Sequence, residues 1–153
     1  MNLFVTIGTT PFDPLIIAVD QIFSSTEYSV TCQIIANCYK PKSHSYVYFS
    51  REKYRELIAN AEIVITHGGA GTVYELLEAG KKIVLVPNLS RIDKHQEEMA
   101  QFIENNQYGI VCRNMKNLRE CVEICYQMTF RNYEKTPFFM AEDIIKFFGI
   151  STS

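Results

Sequence analysis

The chain has no apolar run that approaches the ~20 residues needed to cross a bilayer, so no membrane-spanning helix is expected. It has no dense block of one charge. Its 15 basic and 17 acidic residues are interspersed along 153 positions and sum to a formal charge of −2. Binding a phosphate backbone needs concentrated Lys and Arg, so a broad nucleic-acid footprint is excluded and no nucleic-acid partner is expected. The opening stretch "MNLFVTIGTTPFDPLI" has neither a basic n-region nor a small-residue cleavage site, and reads as a first strand rather than a signal peptide. There is no CxxC. The five cysteines, Cys32, Cys38, Cys112, Cys121 and Cys125, form an odd set. Cys121 and Cys125 lie one helical turn apart, but no His or third Cys stands near them to complete a metal site. Reduced thiols of a cytosolic protein, without chemistry of their own, are the expectation. Internal repeats, linkers and low-complexity tracts are also lacking. With 47% apolar and 21% charged residues, a packed core is expected and disorder is not.

What is present is one domain's worth of alternating patterns, spanning residues 1–153. Short β-branched runs, "LFVTIG", "YSVTCQII", "SYVYFS", "EIVIT", "KIVLVP" and "YGIVC", read as six strands. Between them lie stretches with helical spacing: "PFDPLIIAVDQIFSS", "REKYRELIANA", a segment from about Thr72 to Ala79, "DKHQEEMAQFIENN" and "NLRECVEICYQMTF". Gly80 stands where a left-handed residue commonly ends a helix. A last amphipathic helix is expected over 137–149, in "FFMAEDIIKFFGI". Strands alternating with helices at this spacing imply an α/β fold. The expectation is a single Rossmann-like domain, with a mostly parallel sheet of about six strands and helices on both faces.

The richest segment is "EIVIT-HGGAGT-VYELLEAG", a strand, a glycine-rich turn and a helix start. A helix N-terminus offers unpaired N–H groups and about half a positive charge, which suits phosphate. Gly68, Gly69 and Gly71 permit close backbone approach and positive φ. The turn is not a P-loop, because no Gly-Lys-Ser/Thr follows. It is not a dinucleotide fingerprint either, because Tyr74 stands where the third Gly belongs. His67 at the strand tip either reaches a phosphate with a ring N–H or is a satisfied polar residue. Thr72 either caps the helix or gives its hydroxyl to a phosphate oxygen. Glu75 either accepts from ribose hydroxyls or merely complements the helix dipole.

Two further strand ends point to the same sheet edge. Gly8, Thr9 and Thr10 follow the first strand, where Thr10 is also a candidate N-cap for a helix starting at Pro11. "VPNLSRIDKHQEE" brings Asn88, Asp93, His95 and Gln96, which suit sugar hydroxyls, with Asp93 also a candidate N-cap. Three loops converging on one crevice favour a nucleotide-plus-sugar site over a bare turn.

The segment "ITHGGAGTVYELLEAGKKIVLVPN…DKHQ" resembles the donor-binding half of GT-B glycosyltransferases of family 28. The start "LFVTIGTTPFDPLI", the "YKPK" turn and the short length resemble the small-subunit members of two-component enzymes. Those include PssE-type exopolysaccharide transferases and the catalytic subunit of the eukaryotic dolichol-pathway UDP-GlcNAc transferase. The resemblance runs from Leu3 to the final helix. It implies that the diphosphate of a UDP-sugar rests on Gly68, Gly69, Ala70, Gly71 and Thr72, with His67 nearby and Gly8, Thr9 and Thr10 on the opposite wall. It further implies ribose at Glu75, uracil at Phe49, Ser50 and Arg51, and the donor sugar at Asn88, His95 and Gln96. Two departures bear on the sugar: many small subunits carry Arg where this chain has Asn88, and "LSRID" is shorter than in PssE-type members.

The function implied is that of a donor-binding or catalytic subunit of an inverting glycosyltransferase, half of a GT-B fold, acting on a lipid-linked saccharide acceptor. No DxD carboxylate pair is present, and the family generally works without a metal, so no metal or other cofactor is expected. The general base of related single-chain enzymes belongs to the domain absent here. The resemblance therefore implies a membrane-anchored acceptor-binding subunit as partner. The chain itself would be cytoplasmic, peripheral on the membrane face through that partner. The 137–149 helix, with Phe138, Phe139, Phe147 and Phe148, either packs internally or contacts the partner. The alternatives are a non-catalytic nucleotide-sugar sensor and a UDP-sugar epimerase-like enzyme.

Overall fold

The computed structural model describes residues 1–89 and 95–135. Six strands arise from the short apolar runs: β1 (Asn2–Thr6), β2 (Ser29–Ile34), β3 (Ser45–Tyr48), β4 (Ile63–Thr66), β5 (Lys82–Leu85) and β6 (Ile110–Val111). The intervening amphipathic stretches form α1 (Asp13–Ile22), α2 (Arg51–Asn60), α3 (Ala70–Glu78), α4 (His95–Asn106) and α5 (Leu118–Gln127), the last preceded by a 3₁₀ turn at Met115–Asn117. All strands pair in parallel in the order β3-β2-β1-β4-β5-β6. The order reverses between β1 and β4. In an open sheet that reversal leaves a crevice at the strands' carboxyl ends.

Because side chains alternate along a strand, each central strand feeds two cores. Leu3 and Val5 of β1, with Ile63, Ile65 and Val84, pack beneath α1 and α5 through Leu15, Ile16, Val19, Leu118 and Val122. Phe4, Val64, Ile83 and Leu85 face the other way, against Val73 and Leu76 of α3 and Ala100 and Ile103 of α4. Both faces are thus covered by helices, as a parallel sheet requires.

Three local expectations are revised. The helix α1 starts at Asp13 after Phe12, so Thr10 is not its N-cap. The helix α3 starts at Ala70, two residues before the expected Thr72, and places Gly71 inside its first turn. Gly68, Gly69 and Gly71 have no positive φ; among the described residues only Gly8 (64°) and Gly80 (69°) are glycines in the left-handed region. Gly80 ends α3 as expected. Its N–H bonds Leu77 O (3.1 Å) while that of Lys81 bonds Leu76 O (3.1 Å), the doubled closure of a left-handed C-terminus.

After α5 the chain crosses from one face of the sheet to the other. Phe130 packs on the α1/α5 core, and Tyr133 reaches the α3/α4 core. There its ring meets Tyr74 (5.9 Å) and Tyr108 (5.6 Å). The crossing is fixed by Arg131 N–H to Gln107 O (3.0 Å) and by an ion pair of Lys135 with Glu78 (3.3 Å). The expected helix over 137–149 and the Asp93 cap lie outside the described residues. No helix of the described residues is long and apolar enough to cross a membrane.

Candidate nucleotide-sugar site

At the carboxyl end the sheet turns polar. Gln33, Thr6 and Thr66 stand in register across β2, β1 and β4, and all three are buried. The Thr6 hydroxyl donates to Gln33 Oε1 (2.6 Å). Gly8 N–H donates to that same oxygen (3.1 Å), and Gln33 Nε2 donates back to Gly8 O (3.0 Å). One side-chain amide therefore grips both sides of Gly8 and fixes its left-handed turn, which aims Thr9 and Thr10 at the crevice. Gln33 was not singled out in the sequence; its only signal there is a lone amide at the end of an apolar strand.

Above this row, α3 opens toward the crevice. Val73 N–H is the first to find a helical acceptor, Gly69 O (3.0 Å), and no side chain caps the amides of Ala70, Gly71 and Thr72. They are available to an anion. The glycines before them serve packing. The His67 ring is only 8% exposed and lies where side chains at two glycines would otherwise stand. A Cβ on Gly69 would sit 2.7 Å from His67 Nε2, and one on Gly8 would sit 2.9 Å from Cε1. A Cβ on Gly68 would meet Gln96 Cβ at 2.7 Å and Cα at 2.8 Å. Gly71 differs, since a Cβ there meets nothing within 4 Å.

The result is an open cleft of about 560 Å³. Its walls contain Gly8, Thr9 and Thr10 from the β1 loop, and His67, Gly68, Gly69, Ala70, Gly71, Thr72 and Glu75 from the β4–α3 unit. Phe49 and Arg51 close one end, and His95 and Gln96 the other. Two residues of the expected set do not line it. Ser50 is the N-cap position of α2 and makes no side-chain cap bond. Asn88 lies behind the wall, where its N–H donates to Gln96 Oε1 (2.7 Å). That bond leaves the Gln96 amide nitrogen as the group to offer a ligand.

Arg51 reaches Glu75 at 3.8 Å across the rim, in an exposed pair that is worth little. Tyr54 also lines the cleft and was absent from the sequence reading. Burial pushes its phenol above the ordinary tyrosine value, and the Glu75 carboxylate adds to the effect, so the hydroxyl stays protonated. The thiols stand elsewhere. Burial raises Cys32, Cys112 and Cys125 to about 12, which leaves them inert. No cluster of three or more His, Cys, Asp or Glu among the described residues is placed to hold a metal.

The glycosyltransferase family 28 C-terminal domain matches residues 2–147. The chain belongs to this family. Among relatives of this family 28 domain, the human UDP-N-acetylglucosamine transferase subunit ALG13 is 35% identical over 122 residues, 72% of this chain and 11% of that protein. An N-acetylglucosaminyltransferase of Prochlorococcus marinus, which acts on an N-acetylmuramyl-(pentapeptide) pyrophosphoryl-undecaprenol, is 37% identical over 73 residues. That match covers 45% of this chain and 19% of that protein. The matched segments thus span about a tenth to a fifth of these relatives' length. The NMR structure of ALG13 superposes with a TM-score of 0.66 at 18% identity, covering 94% of both chains. MurG of Acinetobacter baumannii gives 0.61 at 17%, covering 95% of this chain and 49% of that one. At such identities the likeness is one of fold: the domain has the architecture of one half of a GT-B fold.

Proposed function

We propose that this chain is the donor-binding subunit of a two-component inverting glycosyltransferase that uses a UDP-sugar. UDP-N-acetylglucosamine is the first candidate donor, since relatives over both 72% and 45% of the chain are named for N-acetylglucosamine transfer. The observation that carries the reading is convergence. The uncapped start of α3, the clamped Gly8 loop and the polar pair His95–Gln96 meet in one cleft at the point where strand order reverses. The amides of Ala70, Gly71 and Thr72 take the diphosphate, with His67 beneath them. Glu75 takes the ribose, Phe49 and Arg51 flank the uracil, and His95 and the Gln96 amide nitrogen face the sugar.

In the transfer, an acceptor hydroxyl attacks the anomeric carbon while the bond to the β-phosphate oxygen breaks and UDP departs. The hydroxyl proton goes to a general base. The α3 terminus stabilises charge growing on the leaving diphosphate, a favourable term because the amides are already oriented. No residue of the described cleft is assigned as that base. A membrane-anchored partner carrying the acceptor site and the base completes the enzyme, with a lipid-linked saccharide as acceptor and this chain peripheral on the cytoplasmic face of the membrane.

A thermal-shift panel tests the nucleotide. UDP or UDP-N-acetylglucosamine at about 100 times its Kd stabilises by about 2.7 kcal/mol, equivalent to roughly 5–11 °C for a domain of this size. NAD and ATP leave the midpoint in place. Equal stabilisation by NAD or ATP sinks the assignment, and full turnover by the purified chain alone sinks the two-subunit model.

A further inference from the structure

Tyr54 is a tyrosine where packing calls for a phenylalanine. It stands on the first turns of α2, 5% exposed, with its ring edge-on to Phe4 (5.6 Å) and tilted against Phe49 (5.7 Å). Those contacts use the ring alone. Its hydroxyl is shielded from solvent and, although threonine hydroxyls lie close by, completes no hydrogen bond of good geometry, an arrangement that normally costs free energy. Such an orphan in the wall of a cleft calls for an explanation.

Its neighbours supply one. The phenol lies beside the hydroxyls of Thr6 and Thr72. Thr6 has already given its proton to Gln33 Oε1. Thr72 is the third residue of α3 and lines the cleft. A threonine hydroxyl that donates outward still has lone pairs to accept from behind, and each bond in such a chain polarises the next.

We propose that Tyr54 is a positioning residue of the diphosphate seat. When an anion draws the Thr72 proton into the cleft, the Tyr54 hydroxyl donates to Thr72 Oγ1. The group left unsatisfied in the empty protein is then satisfied in the occupied one. The free protein gives up some stability so that the seat is stronger when filled. This rests on the reading of the cleft as a nucleoside diphosphate site.

The test is Tyr54→Phe in the full chain, with Kd for UDP, UMP and uridine from calorimetry and the melting midpoint of the free protein. The free variant melts at the same temperature or higher, because only an orphan hydroxyl has gone. UDP binding weakens by about fivefold, the effect of one lost neutral hydrogen bond, while uridine binding is unchanged. Thr72→Val weakens UDP as well, and adding Tyr54→Phe to it changes nothing further, whereas Thr72→Ser keeps the coupling. If wild type binds UDP and Tyr54→Phe binds it equally well, the role of Tyr54 is refuted and the cleft assignment stands. If wild type does not bind UDP, the cleft reading itself fails. Equal loss for uridine and UDP, or a lower melting midpoint, also overturns the proposal, since the hydroxyl would then serve the base pocket or the free fold.

Discussion

Two glycines three residues apart separate folding from ligand binding. At Gly68 an added methyl collides with the Cβ and Cα of Gln96 at 2.7 and 2.8 Å, and the Cα belongs to backbone that cannot swing aside. Such overpacking costs about 1–3 kcal/mol, so Gly68→Ala lowers the melting midpoint by roughly 2–12 °C. At Gly71 the methyl meets no protein atom, and the residue is in the first turn of α3 with ordinary φ. Alanine there improves helix propensity, by at most about 1 kcal/mol, so the midpoint holds or rises by a few degrees. If diphosphate sits against the α3 amides, that same methyl occupies its place. An intrusion of about 1–3 kcal/mol then weakens UDP binding roughly 5- to 150-fold. Differential scanning fluorimetry and calorimetry on the two variants read both quantities. A stable Gly71→Ala protein with wild-type UDP affinity refutes the assignment of the α3 terminus as the anion seat.

Glu75→Ala weakens UDP by about 1–3 kcal/mol, as for a lost hydrogen bond to a charged group, and leaves stability nearly unchanged because its pair with Arg51 is exposed; unchanged affinity removes Glu75 from the site. Gln33→Leu leaves both polar groups of Gly8 and the Thr6 hydroxyl without their partner. It costs about 1–3 kcal/mol of stability and also weakens UDP, and a loss of stability with intact binding would disconnect the clamp from the cleft. Arg113 bonds Glu104 (2.6 Å) and Glu97 (2.7 Å) and holds the Glu104 carboxyl below its usual 4.5 against opposing desolvation. A depressed folded value means that the contribution is complete above pH 4.5 and is lost as pH falls through the lower folded value. The pair is partly exposed, so Glu104→Gln removes at most about 1 kcal/mol at pH 7 and flattens the acid limb of the stability curve; an unaltered acid limb would show that the pair contributes nothing.

The six-strand parallel sheet was legible because β-branched runs and helical spacing alternate without a break, and only a parallel sheet buries such strands on both faces. The site loops were legible for the same reason: glycine and polar residues cluster where strands end. Three features were not. The start of α3 was set two residues late, because glycine depresses helix propensity while the open cleft and uncapped amides decide where the helix begins. Gly68, Gly69 and Gly71 were credited with unusual φ, whereas packing against Gln96 explains Gly68 and packing against the folded-back His67 ring explains Gly69, contacts that the sequence does not display. Tyr54 and Gln33 look like ordinary residues of an amphipathic helix and an apolar strand. Only the register of β1 with β2, and of α2 over that row, brings their polar atoms beneath the cleft.

The His67 ring fills the volume that side chains at Gly8 and Gly69 would need. Gly69 and His67 therefore behave as one unit under mutation, whereas Gly8 carries in addition the strain of its left-handed φ of 64°. Changed singly, Gly69 reads as indispensable whether or not the imidazole touches a ligand, because the clash alone disturbs the loop. Changing His67→Ala together with Gly69→Ala relieves the crowding and leaves only the imidazole's chemistry missing. Residue-by-residue scans will overstate the importance of Gly69, and the paired change is the one that separates volume from function.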